Sequence, residues 1–280
     1  MKLSSMSQFY RDRKAQDVEY AARHISSLGF DSVEWFETDC TEHIENVDTV
    51  KMALDKYDLD LSCYTVLVSL FSSNQEETET HILRHVQTAA MLGAKYFQHT
   101  VFPPLAVDGE PTFERVYDGI IDVAERIAKS CNELGMICIY EPQGVYFNGI
   151  EKMSLFLDDL RGRGCDVAIC GDVANSFYVD VDSVDVFGRF ATDIRHVHVK
   201  DVLFSKSEIS GEKVRRSVGG AYVCSAELGE GSVNFGACFA ILSKVGYDGA
   251  VSFEFGGSDE FTKEKLDYVK RIMKDNGLKL

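Results

Sequence analysis

Proline is scarce in this chain of 280 residues, which contains 4 prolines and no low-complexity tract. Segments rich in proline or in repeated polar residues would act as linkers or remain disordered, and the sequence contains none of them. The length suits one large α/β domain with an ample core. We therefore predict that residues 1–280 form a single domain.

Long apolar runs are also lacking, since no segment approaches the roughly 18 apolar residues that cross a membrane. The first ten residues, MKLSSMSQFY, show neither a long apolar stretch nor a small-residue cleavage site. The sequence thus predicts a cytoplasmic protein with no membrane partner.

Basic residues are outnumbered, with 29 Lys and Arg against 45 Asp and Glu and a formal net charge of -16. Such a charge repels phosphate backbones, so a nucleic acid partner is not expected. The 8 cysteines form no CxxC pair, and several fall in apolar segments. We expect reduced cysteines that pack in the core.

Helical patterns alternate with short apolar runs along the chain. Apolar residues recur on one helical face over residues 18–28 and 116–127. Helices end on glycines such as Gly29 and Gly93, which suit the left-handed conformation after a last helical turn. Eight strands are predicted near Lys2–Met6, Ser32–Phe36, Leu59–Val66, Tyr96–Val101, Ile137–Glu141, Val167–Asp172, Ile194–Lys200 and Val251–Phe255.

Eight such strands separated by helices predict a closed (β/α)8 TIM barrel. A doubly wound open sheet is the alternative, but no GxGxxG motif follows the first strand as a dinucleotide-binding version requires. In a barrel of this kind, functional side chains lie where the strands end.

Four polar residues close four of the predicted strands: Glu141, Asp172, His198 and Glu254. Three carboxylates and one imidazole make a site for a hard to borderline divalent ion, such as manganese, magnesium, cobalt or zinc. Without an ion, three ionised carboxylates at such short distances would repel one another, and at least one of them would take up a proton. The pattern thus predicts one divalent metal site.

The strand IRHVHVKD supports this interpretation because alternate residues point to opposite faces. Val197 and Val199 are apolar and suit the helix side, so His196, His198 and Lys200 face the interior. By strand rise, His196 lies about 6.5 Å deeper in the barrel than His198. We therefore predict that His196 supports the site and does not bind the metal. Lys200 lies at the rim, where it either binds a substrate oxygen or pairs with Asp201.

Three further features lie near the predicted site. Glu34 and His99 end barrel strands, and His99 is a candidate substrate contact. Trp35 either floors a sugar pocket or points outward and packs on a helix. The long segment of about 202–232 is predicted to be a lid loop or an oligomer contact, and it carries Arg215 and Arg216 as candidate substrate contacts.

The ordered set of YEPQG, GDVANS, HVHVKD, LGEGSVNF and FEFGG resembles the xylose isomerase-like barrel superfamily, in particular its sugar phosphate isomerase/epimerase group. The resemblance implies a single ion, often manganese, bound by Glu141, Asp172, His198 and Glu254. It also implies that Glu141 and Glu254 are catalytic and move protons on opposite sides of a sugar, cyclitol or related polyol. Such a reaction passes through a metal-stabilised enediolate. A homodimer or homotetramer is expected by the same analogy.

Two positions depart from that group. Many epimerases have a histidine three residues after the aspartate ligand and an arginine six residues after the histidine ligand. This chain has Asn175 and Phe204 there. Asn175 remains a candidate substrate contact, and Arg215, Arg216 or Lys206 of the lid segment is a candidate replacement for the missing cation.

Other functions stay open on the same site. Elimination next to a carbonyl would make the protein a lyase, either an inosose-type dehydratase or the barrel subunit of a C-glycoside-cleaving enzyme. An endonuclease IV-like nuclease shares the fold but normally uses more metal ligands. A sugar-binding protein without catalysis is the remaining alternative.

Overall fold

A computed structural model of the protein describes residues 1–41, 46–101, 112–211, 213–254 and 263–279. Parallel strands close into a barrel whose order is β1-β11-β7-β6-β5-β4-β3-β2. The barrel strands are β1 (Lys2–Ser5), β2 (Ser32–Glu37), β3 (Asp60–Val66), β4 (Tyr96–His99), β5 (Ile137–Tyr140), β6 (Val167–Asp172), β7 (Ile194–Val199) and β11 (Ala250–Phe253). All eight predicted strands and the TIM barrel are confirmed, while Phe255, at the end of the last prediction, lies outside the described residues.

Helices follow the strands and cover the barrel. They are α1 (Ser7–Ala15), α2 (Val18–Leu28), α3 (Val47–Lys56), α4 (Gln75–Leu92), α5 (Phe113–Glu133), α6 (Ile150–Gly162), α7 (Ser183–Phe190), α8 (Phe235–Lys244) and α9 (Lys263–Asp275). Helix α2 shows why such segments form: the Asp17 carboxylate caps it by accepting from Tyr20 N, and Gly29 ends it at φ 92°.

The core has two layers. A large cluster fills the space between barrel and helices, and a small one occupies the interior of the barrel, where Cys63, Ile139 and Cys170 pack together. The cysteines are unpaired thiols, as predicted. In the part of the chain that the structure describes, no helix has both the length and the apolar character needed to cross a membrane.

The segment after β7 is more ordered than the predicted loop. It forms a three-stranded antiparallel sheet of β8 (Asp201–Ser205), β9 (Arg215–Arg216) and β10 (Tyr222–Ala226), in the order β8-β10-β9. This sheet and the turn that follows it lie beside the end of β7, where the polar side chains of that strand emerge.

Asp201 anchors the turn after the small sheet. Its Oδ2 accepts hydrogen bonds from the backbone N–H of Gly229 at 2.9 Å and of Gly231 at 3.0 Å, and its Oδ1 accepts from Val233 N at 3.2 Å. A Cβ atom on Gly231 would lie 2.6 Å from the Val202 carbonyl oxygen, so that close approach requires glycine. Asp201 is therefore committed to this turn and is not an ion-pair partner of Lys200.

Candidate metal centre

Four predicted metal ligands meet at the carboxyl ends of four neighbouring strands. Glu141 follows β5, Asp172 ends β6, His198 lies on β7 and Glu254 follows β11. One ligand atom from each residue lies within 4.8 Å of those of the others. The structure thus brings together the whole donor set that was predicted from separate parts of the sequence.

The spacing of the donors suits one common ion. His198 Nδ1 lies 3.3 Å from Glu141 Oε1 and 3.3 Å from Glu254 Oε2. Two donors that bind one ion at about 2.2 Å stand roughly 3 Å apart. Asp172 Oδ1 accepts from the backbone N–H of Ala174 and Asn175, whereas its buried Oδ2 has the Lys200 ammonium, 3.1 Å away, as its ion-pair partner. The residues therefore fit a divalent cation.

Lys200 supplies a positive charge to the same cluster. Its Nζ donates to Glu254 Oε2 at 2.9 Å and lies 3.1 Å from Asp172 Oδ2. Its side chain is 17% exposed, so this contact is only weakly screened by water. The structure thus places a cation at the site, and it comes from the residue that follows β7 and not from Arg215 or Arg216.

The two glutamates differ in protonation. Burial raises the pKa of Glu141 to about 7. Burial also acts to raise the pKa of Glu254, but the nearby Lys200 and His198 cations lower it to about 2. For His198, burial acts to lower the pKa, while the carboxylates of Glu34 and Glu141 hold it well above its usual value. The cluster therefore holds protons that compete with a metal ion.

Neighbouring amides hold Glu141 in place. Gln98 Nε2 donates to Glu141 Oε2 at 3.1 Å, and Asn175 Nδ2 donates to Glu141 Oε1 at 2.8 Å. Many epimerases of the group that the sequence resembles have a histidine at the position of Asn175. Here the position holds a neutral amide that donates a hydrogen bond to a carboxylate. Phe204, at the position of their arginine, packs on Phe177 with ring centroids 5.3 Å apart.

His196 and Glu34 lie directly below the donor set inside the barrel. Both are fully buried, and His196 Nε2 lies 2.7 Å from Glu34 Oε2. His196 thus lies deeper in the barrel than His198, and its supporting role stays a prediction. The sequence predicted that Glu34 lies near the pocket, but it did not predict the contact between Glu34 and His196. It also gave no prediction for Gln98. Strand alternation was the available signal for both.

A cavity of about 350 Å³ opens beside the donor set. Asn175, Tyr178, Lys200 and Glu254 line it on the side of the donor set, and the small sheet and its turn line the other side. Lys265 and Glu227 form an ion pair at 2.8 Å on that outer side. The cavity is polar and of a size that suits a small hydroxylated molecule.

Trp35 does not face this cavity, which corrects its assignment to a sugar pocket. The ring is fully buried on the outer face of the barrel, against Phe9 of α1 and with the Arg13 guanidinium 3.9 Å from the ring centroid. Trp35 neighbours Glu34 on β2, and Glu34 faces inward, so the pleat turns Trp35 outward. The alternative of packing on a helix is the one observed.

The remaining candidates also lie away from the donor set. His99 is on the outer face of β4, where its Nδ1 donates to Thr100 O at 3.0 Å and its ring packs on Tyr140. It lines a narrow cavity that also borders Glu141. Arg215 and Arg216 form the exposed edge strand β9, where Arg216 stacks on Tyr222 at 3.5 Å. They do not line the cavity described above.

Comparison with known proteins places the chain among related barrels. A family model described as xylose isomerase-like TIM barrel matches residues 22–279. The chain is 23% identical over 253 residues to a ketose 3-epimerase of Arthrobacter globiformis, covering 86% of this chain and 78% of the relative. It is 21% identical over 244 residues to an inosose dehydratase of Clostridium perfringens, covering 82% and 80%.

The fold is shared with solved structures as well. A xylose isomerase-like TIM barrel protein from Mycobacterium smegmatis, in complex with magnesium, superimposes with a TM-score of 0.75 at 15% identity. The superposition covers 98% of this chain and 97% of that one.

Proposed function

The chain belongs to the xylose isomerase-like TIM barrel family, and on that premise we propose that it is a divalent-metal-dependent isomerase or epimerase of a sugar, cyclitol or related polyol. The observation that carries the proposal is the donor set of Glu141, Asp172, His198 and Glu254, whose ligand atoms lie within 4.8 Å beside a polar cavity. A ketose 3-epimerase among the relatives supports the reaction class.

We propose that these four residues hold one ion, with manganese preferred and magnesium, cobalt or zinc as alternatives. Three carboxylate donors favour the harder ions. When bound, the ion would polarise the substrate carbonyl and lower the pKa of the adjacent C–H bond.

The proton transfers are assigned to Glu141 and Glu254. In the barrel order β11-β7-β6-β5, these two residues stand at opposite ends of the arc of donors, so a substrate between them presents a different face to each. One carboxylate removes a proton from carbon, and the other returns it on the opposite face, which gives epimerisation. If one carboxylate does both steps, aldose–ketose isomerisation results.

The surroundings prepare the two glutamates for these roles. The amides of Gln98 and Asn175 fix both oxygens of Glu141, and the Lys200 ammonium orients Glu254. Lys200 and Tyr178 line the cavity and are the proposed contacts to substrate hydroxyl oxygens. We propose a cytoplasmic homodimer or homotetramer that does not bind nucleic acid, in line with the net charge of -16.

A lyase is the second candidate, because an inosose dehydratase is among the relatives. Removal of the same C–H proton next to a carbon that bears a leaving group would give elimination instead of epimerisation. In ordinary water the mass of the product distinguishes the two reactions, since epimerisation leaves the mass unchanged and dehydration lowers it by one water.

The test is exchange of a substrate C–H proton with deuterated solvent. Protein loaded with Mn²⁺ is incubated with a panel of ketoses and inososes, and deuterium uptake and product mass are followed by mass spectrometry. We expect uptake at the carbon next to the carbonyl in at least one substrate. We expect Glu254→Gln and Glu141→Gln each to slow the exchange roughly 10²–10⁴-fold, because each removes a proton carrier.

Glu133→Gln is the matched control, since Glu133 is exposed at the end of α5, on the opposite side of the barrel. It should exchange at the wild-type rate. Absence of exchange with every substrate, or unchanged exchange in both site variants, would contradict the proposed function.

A further inference from the structure

Glu34 lies at the centre of a buried polar connection beneath the donor set. It is fully buried, and its carboxylate has three partners: Thr65 Oγ1 donates to Oε1 at 2.6 Å, His196 Nε2 lies 2.7 Å from Oε2, and His198 Nε2 lies 3.1 Å from both oxygens. A buried carboxylate needs such partners, because burial without hydrogen bonds or opposite charge is costly.

The contact crosses the barrel. In the closed order, β1 and β11 separate β2, which carries Glu34, from β7, which carries both histidines. Small side chains such as Cys63, Cys170 and Ser252 surround the axis and leave room for it. Glu34 is thus a separate support for the donor set, supplied from the opposite wall.

The geometry fixes which nitrogen of His198 faces a shared ion and which one keeps its hydrogen. A carboxylate only accepts hydrogen bonds, so the Nε2 atom that faces Glu34 must be the donor. The other nitrogen, Nδ1, lies on the side where the four donors would share an ion, 3.3 Å from Glu141 Oε1 and 3.3 Å from Glu254 Oε2. A flipped ring would aim carbon atoms at both groups and lose these contacts.

We propose that Glu34 is a positioning residue that holds His198 as the Nε2–H tautomer and thereby makes Nδ1 the nitrogen that binds the metal. A partner on the second ring nitrogen sets the orientation and basicity of a ligating histidine. This inference rests on the proposed metal site but not on the proposed reaction.

His196 lies two residues before His198 on the same strand and contacts the same carboxylate. Its ring is nearly perpendicular to that of His198, with centroids 5.3 Å apart, and its Nε2–H is the second imidazole donor to Glu34. Its Nδ1 has no partner among the described residues. If the hydrogen is on Nε2, the atom without a partner is a nitrogen lone pair on Nδ1. The other tautomer would leave an N–H group without a partner.

A second ion between Glu34, Cys63 and His196 is the competing interpretation, because their donor atoms also lie within 4.8 Å of one another. Two donors that bind one such ion at about 2.1 Å stand at least roughly 3 Å apart. The 2.7 Å between His196 Nε2 and Glu34 Oε2 is a hydrogen-bond distance instead. The observations thus favour a hydrogen-bonded support.

The test uses ¹¹³Cd²⁺ as the metal probe and protein labelled with ¹⁵N-histidine. We expect one bound ion per chain and a one-bond ¹¹³Cd–¹⁵N coupling to Nδ1 of His198, with a hydrogen on its Nε2. Glu34→Gln should weaken Cd²⁺ binding roughly 10–100-fold, since an amide can turn its NH₂ group toward Nε2 and stabilise the wrong tautomer.

Glu37→Gln is the matched control. Glu37 is also buried on β2, but it faces the helices and binds Trp35 and Arg13. This variant should be destabilised yet bind Cd²⁺ like the wild type, which separates positioning from stability.

The possible failures are distinguishable. Coupling to Nε2 in the wild type would overturn the inference even if Glu34→Gln failed to fold. A second bound ion that is lost on changing Glu34, or unchanged affinity in folded Glu34→Gln, would also overturn it. A protein that binds no Cd²⁺ would overturn the metal site together with this inference, whereas absent turnover with Nδ1 coordination would overturn only the proposed reaction.

Discussion

Lys200 is the residue whose charge most directly opposes a bound metal. Its ammonium contacts Glu254 at 2.9 Å and Asp172 at 3.1 Å, so it neutralises two of the four donor residues. An incoming divalent ion must share or replace these contacts. The same lysine therefore has opposite effects on the stability of the metal-free protein and on its metal affinity.

We predict that Lys200→Met binds Mn²⁺ roughly ten-fold more tightly, because a repelling charge is removed close to the ion. The metal-free variant should lose about 2 kcal/mol of unfolding free energy, since buried carboxylates are left without their counter-charge. Calorimetric Mn²⁺ titration and urea unfolding in chelator measure the two effects.

Lys244→Met, at the exposed end of α8, is the control and should change neither quantity. Weaker Mn²⁺ binding in Lys200→Met would contradict the prediction, because it would mean that Lys200 supports the ion-bound arrangement.

Single residues also show where sequence reasoning succeeded and failed. The four proposed donors meet at one site, as expected of metal-binding residue types that each end an apolar strand. Trp35 and His99 were chosen for their chemical character, although alternation turns both outward and places Glu34 and Gln98 inside. Glu34 is separated from His196 by 162 positions in the sequence and from His198 by 164 positions. Their contact depends on barrel closure, which no local pattern specifies.

Among the helices, α5 and α6 are joined by an ion cluster around one arginine. Arg163 Nη1 donates to Asp122 and Glu125 at 2.8 Å each, and its Nε donates to Asp159 at 2.9 Å. Arg163 lowers the pKa of Asp159, and Lys129 together with Arg163 lowers that of Glu125. Carboxyl groups with lowered pKa values stabilise the folded state above their ordinary pKa near 4, and this stabilisation is lost as pH falls.

We predict that Arg163→Leu lowers the Tm on the order of 1–2 °C at pH 7, a small effect because the cluster is partly exposed. The difference from the wild type should shrink at pH 3, where the carboxyl groups become protonated. Circular dichroism melts at pH 7, 5 and 3 measure it.

Arg23→Leu removes an equal charge from α2, where the arginine lies beside the Tyr20 ring. Its effect should not depend on pH in this way. A Tm difference for Arg163→Leu that persists unchanged at pH 3 would contradict the role of the carboxylates.

The elements differed in how well the sequence predicted them. Strands and helices of the barrel have regular spacing and glycine ends, so their positions were predicted closely. The small sheet after β7 was predicted only as a lid loop, because β9 has just two residues and its pairing with β10 is antiparallel and short. Such strands are defined by their partners and not by a periodic pattern of their own.

For the whole molecule, a bound ion should stabilise the fold. Any ligand that binds the folded state alone adds about 2.7 kcal/mol at one hundred times its Kd. We predict that saturation with Mn²⁺ at this level raises the Tm by about 5 °C, and that chelator reverses the rise. Thermal melts with and without Mn²⁺ provide the measurement.

Asp172→Asn should melt at the same temperature with and without Mn²⁺, because it weakens the donor set while the amide oxygen still accepts from Ala174 N. An equal Mn²⁺ effect in the wild type and in this variant would show that the ion acts elsewhere on the acidic surface.

The closing of the barrel has a consequence for how the protein would acquire the proposed ion. The last barrel strand, β11, pairs with the first, β1, and Glu254 follows directly after it. During synthesis, a chain that has emerged only as far as β7 carries Glu141, Asp172 and His198 but not the fourth donor. Tight capture of the proposed ion would therefore come after β11 pairs with β1, which would make the ion a reporter of completed folding.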